Sequence, residues 1–241
     1  MTSRARERKI IAWLRQIEQE AEAIYLVGDV FDFWFEYQHV VPKGFVRLLA
    51  TLAEFVEKGI EVHIFVGNHD LWIKEYLSDE IGLIVHHQAY EVQLHKKRFF
   101  IAHGDGLGPG DYKYKLLKKI FTNRVCQWLF RWLHPDLGMK LALFSSTKSR
   151  ESQDEPDFFL GKDKEWLLQY ANYKLKQQAN INYFVFGHRH LPLDVLLDNE
   201  SSRYINLGDW INYCTYLEFN GTDIQLKAFE QAEFDYSSVK H

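Results

Sequence analysis

Four short apolar runs in this chain each stop at a small polar cluster, and this repeated arrangement narrows the fold more than any other feature. Ile24 to Val27 stops at Gly28-Asp29, and Val62 to Val66 stops at Gly67-Asn68-His69-Asp70. A run ending near residue 102 stops at His103-Gly104-Asp105, and Tyr183 to Phe186 stops at Gly187-His188-Arg189-His190. Short apolar runs closed by glycine read as buried strands. Segments with apolar residues at helical spacing lie between them. Ile10, Ile11, Trp13, Leu14 and Ile17 place an amphipathic helix within 4–20, and similar patterns predict helices over 45–57 and 164–176. Two further strands, near 88–94 and 98–102, flank a turn at Lys96-Lys97. Strand-like segments fill 193–229 around an Asn220-Gly221 turn. Strands alternating with helices predict an α/β sandwich with a largely parallel core.

In open α/β sheets, ligands collect beyond the carboxyl ends of the strands. Here those ends carry Asp29, Asn68, His69, Asp70, His103, His188 and His190. They offer oxygen and imidazole donors and no thiolate, a set that suits manganese, iron or zinc rather than a soft ion. Glycine lets the backbone turn sharply where a side chain must face an ion. Taken singly, each cluster has an ordinary explanation. Gly-Asp is often a plain turn, Asn68 or Asp70 can cap a helix, and His103 alone can be a satisfied interior histidine. His188 and His190, two apart, point to the same side of an extended segment. All four clusters, in this order and at strand ends, point to a metal centre.

Composition excludes several other classes. Of 241 residues, 46% are hydrophobic and 26% charged, which is a globular rather than a disordered balance. The net charge of −4 gives no support to bulk nucleic-acid binding. Cys126 and Cys214 are the only cysteines, too few for a disulfide framework or a cysteine zinc site. No stretch approaches the ~18 uncharged apolar residues of a membrane span. The start MTSRARERKIIAWL lacks the apolar core of a signal peptide.

In order, GDVFD (28–32), GNHD (67–70), HGD (103–105) and GHRH (187–190) resemble the calcineurin-like metallophosphoesterase family, over nearly the whole chain. The resemblance implies a two-sheet α/β/β/α sandwich forming a single domain over 1–241. It also implies two divalent ions about 3.5 Å apart with a bridging hydroxide. Manganese is the first expectation, with zinc or iron as alternatives. Carried over motif by motif, Asp29 bridges the ions, Asn68, His103 and His188 complete one site, and His190 belongs to the other. His69 sits beside the phosphate and stabilises charge or protonates the leaving oxygen, oriented by Asp70. The family opens with a strand and an Asp-x-His motif, which is absent before Asp29. A chain shortened at its start is expected over a true loss of one metal site. As written, the second site holds only Asp29 and His190.

Within the family, GDVFDFWFE (28–36), HGDGLGPGDYKY (103–114), a helical cap inserted at 112–150 and LGDW (207–210) resemble the UDP-2,3-diacylglucosamine hydrolases. That branch acts in lipid A assembly and splits the pyrophosphate of a UDP-linked diacyl sugar, releasing UMP and the acylated sugar 1-phosphate. The resemblance implies that Asp111 and Tyr114 lie near the nucleotide or sugar, and Ser145, Ser146 and Lys148 near the sugar and phosphates. Arg189 is expected to help offset charge on the transferred group. His69 departs from the branch, whose best-known members carry Arg at that position.

The insertion interleaves Lys113, Lys115, Lys118, Lys119, Arg124, Arg131 and Lys140 with Ile120, Phe121, Trp128, Leu129, Phe130, Trp132 and Leu133. Basic amphipathic helices with Trp and Phe suit an anionic membrane surface or an acyl-chain cleft. The expectation is a cytoplasmic enzyme, peripheral on the inner face of the inner membrane, with a nucleotide-linked glycolipid substrate and no nucleic-acid partner. The plainer alternative is a helical cap with solvated lysines. Other functions stay open: a phosphoesterase acting on cyclic nucleotides, phosphoproteins or DNA ends, a non-catalytic scaffold of the same fold, or a one-metal hydrolase. Product analysis separates the first from the lipid reading, and metal binding separates the scaffold.

Overall fold

The computed structural model describes residues 3–108, 112–142 and 158–229. By internal packing the chain divides into two compact units, one of residues 7–87 with 110–156 and one of residues 1–6, 88–109 and 157–241.

The first unit is built on three parallel strands in the order β1-β2-β3: β1 (Ala23–Leu26), β2 (Glu61–Phe65) and β3 (Ile84–His86). Helix α1 (Ser3–Ile17) leads into β1, and α2 (Val46–Glu57) supplies the crossover that a parallel β1–β2 pair requires. Leu48, Leu49, Leu52 and Phe55 form the buried face of α2, and β2 buries four residues in succession. At roughly 1.5–3 kcal/mol for each fully buried large apolar side chain, these positions dominate local stability. α2 stops at Gly59, whose φ of 84° suits the left-handed turn after a helix. A short α3 (Tyr76–Asp79) precedes β3. The insertion contributes α4 (Tyr112–Phe121), α5 (Arg124–Arg131) and α6 (135–142). Asn123 caps α5, its side chain accepting from the amides of Val125 at 2.9 Å and Cys126 at 3.2 Å. Phe130 packs 4.8 Å from the rings of both Phe35 and Trp72, which seats α5 on the loops after β1 and β2. The sequence reading omits α3 and β3 and runs the first helix three residues too far.

The second unit holds a five-stranded sheet in the order β4-β5-β6-β8-β7. Its strands are β4 (Tyr90–Leu94), β5 (Lys97–Ala102), β6 (Tyr183–Phe186), β7 (Pro192–Leu196) and β8 (Arg203–Leu207). β5, β6 and β8 run parallel, while β4 and β7 close the two edges antiparallel. The central β6 is buried at every residue, as expected for a strand covered on both faces. Leu167, Leu168, Ala171 and Leu175 of α7 (Trp166–Gln177) pack with Phe100, Phe184, Phe186 and Tyr204. A hairpin of β9 (Thr215–Phe219) and β10 (Ile224–Ala228) follows. It turns at Asn220-Gly221, where Asn220 accepts from the amides of Thr222 and Asp223. The mixed α/β class read from the alternating runs is the class these elements form.

Candidate metal centre

In the first unit, the chain leaves β1 and turns through Gly28 (φ 83°) into Asp29 (φ 52°). Aspartate is among the few side chains that tolerate this left-handed region. Oδ1 of Asp29 accepts the amide of His69 at 2.8 Å. A Cβ on Gly67 would collide with that carboxylate and stand 2.6 Å from the Asp29 nitrogen, so the close approach of the two loops requires glycine there. Asp70 is fully buried and clips the same loops: Oδ1 accepts from Gly67 N at 2.6 Å and Oδ2 from Val30 N at 2.9 Å. The amide of Trp34 donates to the His69 carbonyl at 3.4 Å, and Phe35 bridges Trp72. Glu36 is buried and accepts from Trp34 Nε1 and from the amides of Lys74, Glu75 and Tyr76 at 2.8 to 3.1 Å. Asp29, Asn68 and His69 remain partly exposed at this end of the sheet.

In the second unit, β5 delivers His103 and β6 delivers His188, side by side because the two strands are parallel neighbours. Gly187 N donates to the His103 carbonyl at 2.9 Å. Nδ1 of His188 (φ 55°) lies 3.3 Å from Nε2 of His103. Two imidazole nitrogens at that spacing match the edge of a coordination polyhedron with metal–nitrogen bonds of roughly 2.0–2.1 Å, so the pair fits a divalent ion. Asn206, fully buried, donates to the Gly187 carbonyl and pins the turn that aims His188.

His190 (φ 30°) has its Nδ1 3.6 Å from Oδ2 of Asp209. Burial pushes the Asp209 carboxyl up, but the bond to His190 and the amides of Asn212 and Tyr213 outweigh it and hold the group below its ordinary value. A charged carboxylate on one ring nitrogen is a common way to orient a metal-binding histidine. The guanidinium of Arg189 turns to Glu165 at 3.4 Å and to the Phe158 carbonyl at 3.3 Å, and both side chains of that pair are largely buried.

Each unit thus gathers its own donors: Asp29, Asn68 and His69 in one, with Asp70 buried beneath them as a clip, and His103, His188 and His190 in the other. Tyr114 lies in α4, while Asp111, Ser145, Ser146 and Lys148 fall outside the described residues. Sequence reasoning missed the supporting roles of Asp209, Asn206, Glu165 and Glu36. Two of them carried a signal: Asp209 as part of the LGDW motif and Glu36 as the last residue of GDVFDFWFE.

The calcineurin-like phosphoesterase profile matches residues 5–192, and the chain belongs to that family of hydrolases, whose members use divalent metals. It is 38% identical over 244 residues to the UDP-2,3-diacylglucosamine hydrolase of Porphyromonas gingivalis, covering 94% of this chain and 91% of that protein. Proteins of the same name match from Actinobacillus succinogenes, at 24% identity over 90% of each chain, and Vibrio parahaemolyticus, at 25% over 90% of this chain and 88% of that one.

Proposed function

We propose that this chain hydrolyses the pyrophosphate bond of UDP-2,3-diacylglucosamine, giving UMP and 2,3-diacylglucosamine 1-phosphate. The observation that carries the reading is the set of oxygen and imidazole donors at the strand ends, in a chain 38% identical to a hydrolase named for that substrate. Asp29, Asn68, His103 and His188 are assigned as ligands of one divalent ion, and His190, oriented by Asp209, as a ligand of a second. When bound, such ions lower the pKa of a water and offset phosphate charge. Manganese is the ion assigned.

His69 stands beside the phosphate, where it offsets negative charge on the transferred group or gives a proton to the leaving oxygen. Its position follows from Asp29 and Trp34, which hold its backbone on either side. Asp70 acts through that loop. Water adds its oxygen to phosphorus and gives up a proton to solvent, the anhydride P–O bond breaks, and the departing phosphate keeps the electron pair. Asp111, Tyr114, Ser145 and Lys148 are assigned to the nucleotide, sugar and phosphates. Arg189, whose guanidinium also meets Glu165, is assigned to offset charge on the transferred group.

The insertion serves a substrate whose acyl chains reside in a bilayer. It exposes Leu116, Trp128, Leu129, Trp132 and Leu141 beside its lysines and arginines, the composition of a surface that lies on an anionic membrane. No helix among the described residues is long and apolar enough to cross one. The reading places the protein on the cytoplasmic face of the inner membrane. The test is release of UMP from UDP-2,3-diacylglucosamine with manganese supplied. Cleavage of simple phosphate esters without UMP release under manganese, zinc or iron would move the chain to another branch of the family, a reading that His69 favours.

A further inference from the structure

A cleft of about 500 Å³ opens in the first unit, and none of the assigned metal ligands lines it. Lys74, Glu75 and His87 line it together with Arg124, Trp128 and Arg131 of α5. The last three are spaced so that they share one helix face. Among the described residues, no carboxylate pairs with Lys74, Arg124 or Arg131. Glu36 is close to Lys74 but is already engaged by Trp34 and three backbone amides. Three cations therefore face one carboxylate, Glu75, across a shared space.

This crowding has a cost that the surrounding structure maintains. The Lys74 ammonium is pushed below its ordinary proton affinity by burial and by repulsion from Arg131 and Arg124, against the pull of Glu36 and Glu75. The arginines do not ride on a loose element. Asn123 caps the start of α5, Phe130 docks it on Trp72, and Gln127 Nε2 donates to the Phe121 carbonyl at 3.0 Å. A like-charged set whose exposed arginines extend from a packed helix is complementary to an anion. Guanidinium groups present the forked donors that phosphate oxygens accept in pairs.

We propose that this cleft binds a phosphate group between Arg124, Arg131 and Lys74, at a site separate from the strand-end donors. The phosphate comes either free in solution or on a lipid headgroup. The proposal does not rest on the assigned reaction, so it is tested on full-length protein treated with a chelator, which removes phosphate binding through metals. Inorganic phosphate is titrated by calorimetry, and vesicles of phosphatidylglycerol or of phosphatidylcholine are tested by co-sedimentation. Each assay compares wild type with Arg124→Ala/Arg131→Ala and, as a milder change, Lys74→Gln. Circular dichroism confirms that each variant is folded.

A loss of phosphate affinity of tenfold or more in the folded variants supports the site with a free anion as ligand. A comparable loss confined to phosphatidylglycerol vesicles supports it with a headgroup as ligand. Equal binding of both probes by wild type and the folded variants, or no binding by any of them, overturns it.

Discussion

The amide of His69 donates to Oδ1 of Asp29 at 2.8 Å, so the residue assigned to the phosphate and the residue assigned to the metal are tied through one hydrogen bond. Neither loop can shift without the other. Gly67 stands under this contact, and its backbone does not need positive φ, so alanine would fail there only by collision with Asp29. Gly67→Ala is expected to cost about 1–3 kcal/mol through overpacking and to weaken manganese binding. Asp29→Ala should nearly abolish turnover with metal supplied. Manganese titration and UMP release check both, and a Gly67→Ala protein with unchanged metal affinity would sink the argument.

Asp70 is a structural clip rather than an exposed acid. Each of its oxygens accepts an amide, from Gly67 and from Val30. Asp70→Asn places an NH2 donor against one of those amides, at about 1–3 kcal/mol for the broken buried bond. The melting temperature should fall by about 2–4 °C for each kcal/mol lost. Thermal denaturation without metal reads this directly.

Glu36 holds the start of the 74–76 segment through three amides. Glu36→Ala leaves those donors and the Trp34 indole unsatisfied and should destabilise the fold by several kcal/mol. Glu36→Gln keeps one acceptor and should cost less. Urea denaturation of the pair gives the order, and equal loss in both would contradict it.

A stack of rings predicts how stability depends on pH. Tyr25, His63, His86 and Phe65 lie in series, with Nδ1 of His63 2.9 Å from Nε2 of His86. Burial pushes both imidazoles below their ordinary value, with Glu61 partly opposing this at His63 and with His63 and His87 adding to it at His86. The unfolded chain therefore takes up protons near pH 6.5 while the folded chain still resists them. This contribution to stability is complete above the unfolded value and drains as pH falls through the lowered folded values. Wild type should lose melting temperature more steeply than His63→Phe between about pH 7 and pH 5. Parallel slopes would contradict the assignment.

What could be read in advance was whatever repeats locally. Apolar runs such as YFVF and the donor clusters after them are contiguous, so their strands and ligands were legible. β3 was not, because it has only three residues, ends in His86 and carries no alternation. The insertion of β8 between β6 and β7 is a pairing choice made at long range, which no local pattern encodes. Asp209 stood in a quoted motif, yet its role depends on lying beside His190, nineteen positions earlier in the chain. Arg189 stood in a quoted motif, but its ion pair with Glu165, a residue unremarkable in sequence and 24 positions earlier, could not be read from either segment alone.

Asp29, His188 and His190 all hold backbone torsions that side-chain-bearing residues adopt only at a price of roughly 1 kcal/mol or more. Glycine at any of the three would relax the main chain and remove a donor at the same stroke. Laboratory evolution of this enzyme for heat resistance alone should therefore discard these positions early, yielding hardier proteins that no longer turn over substrate.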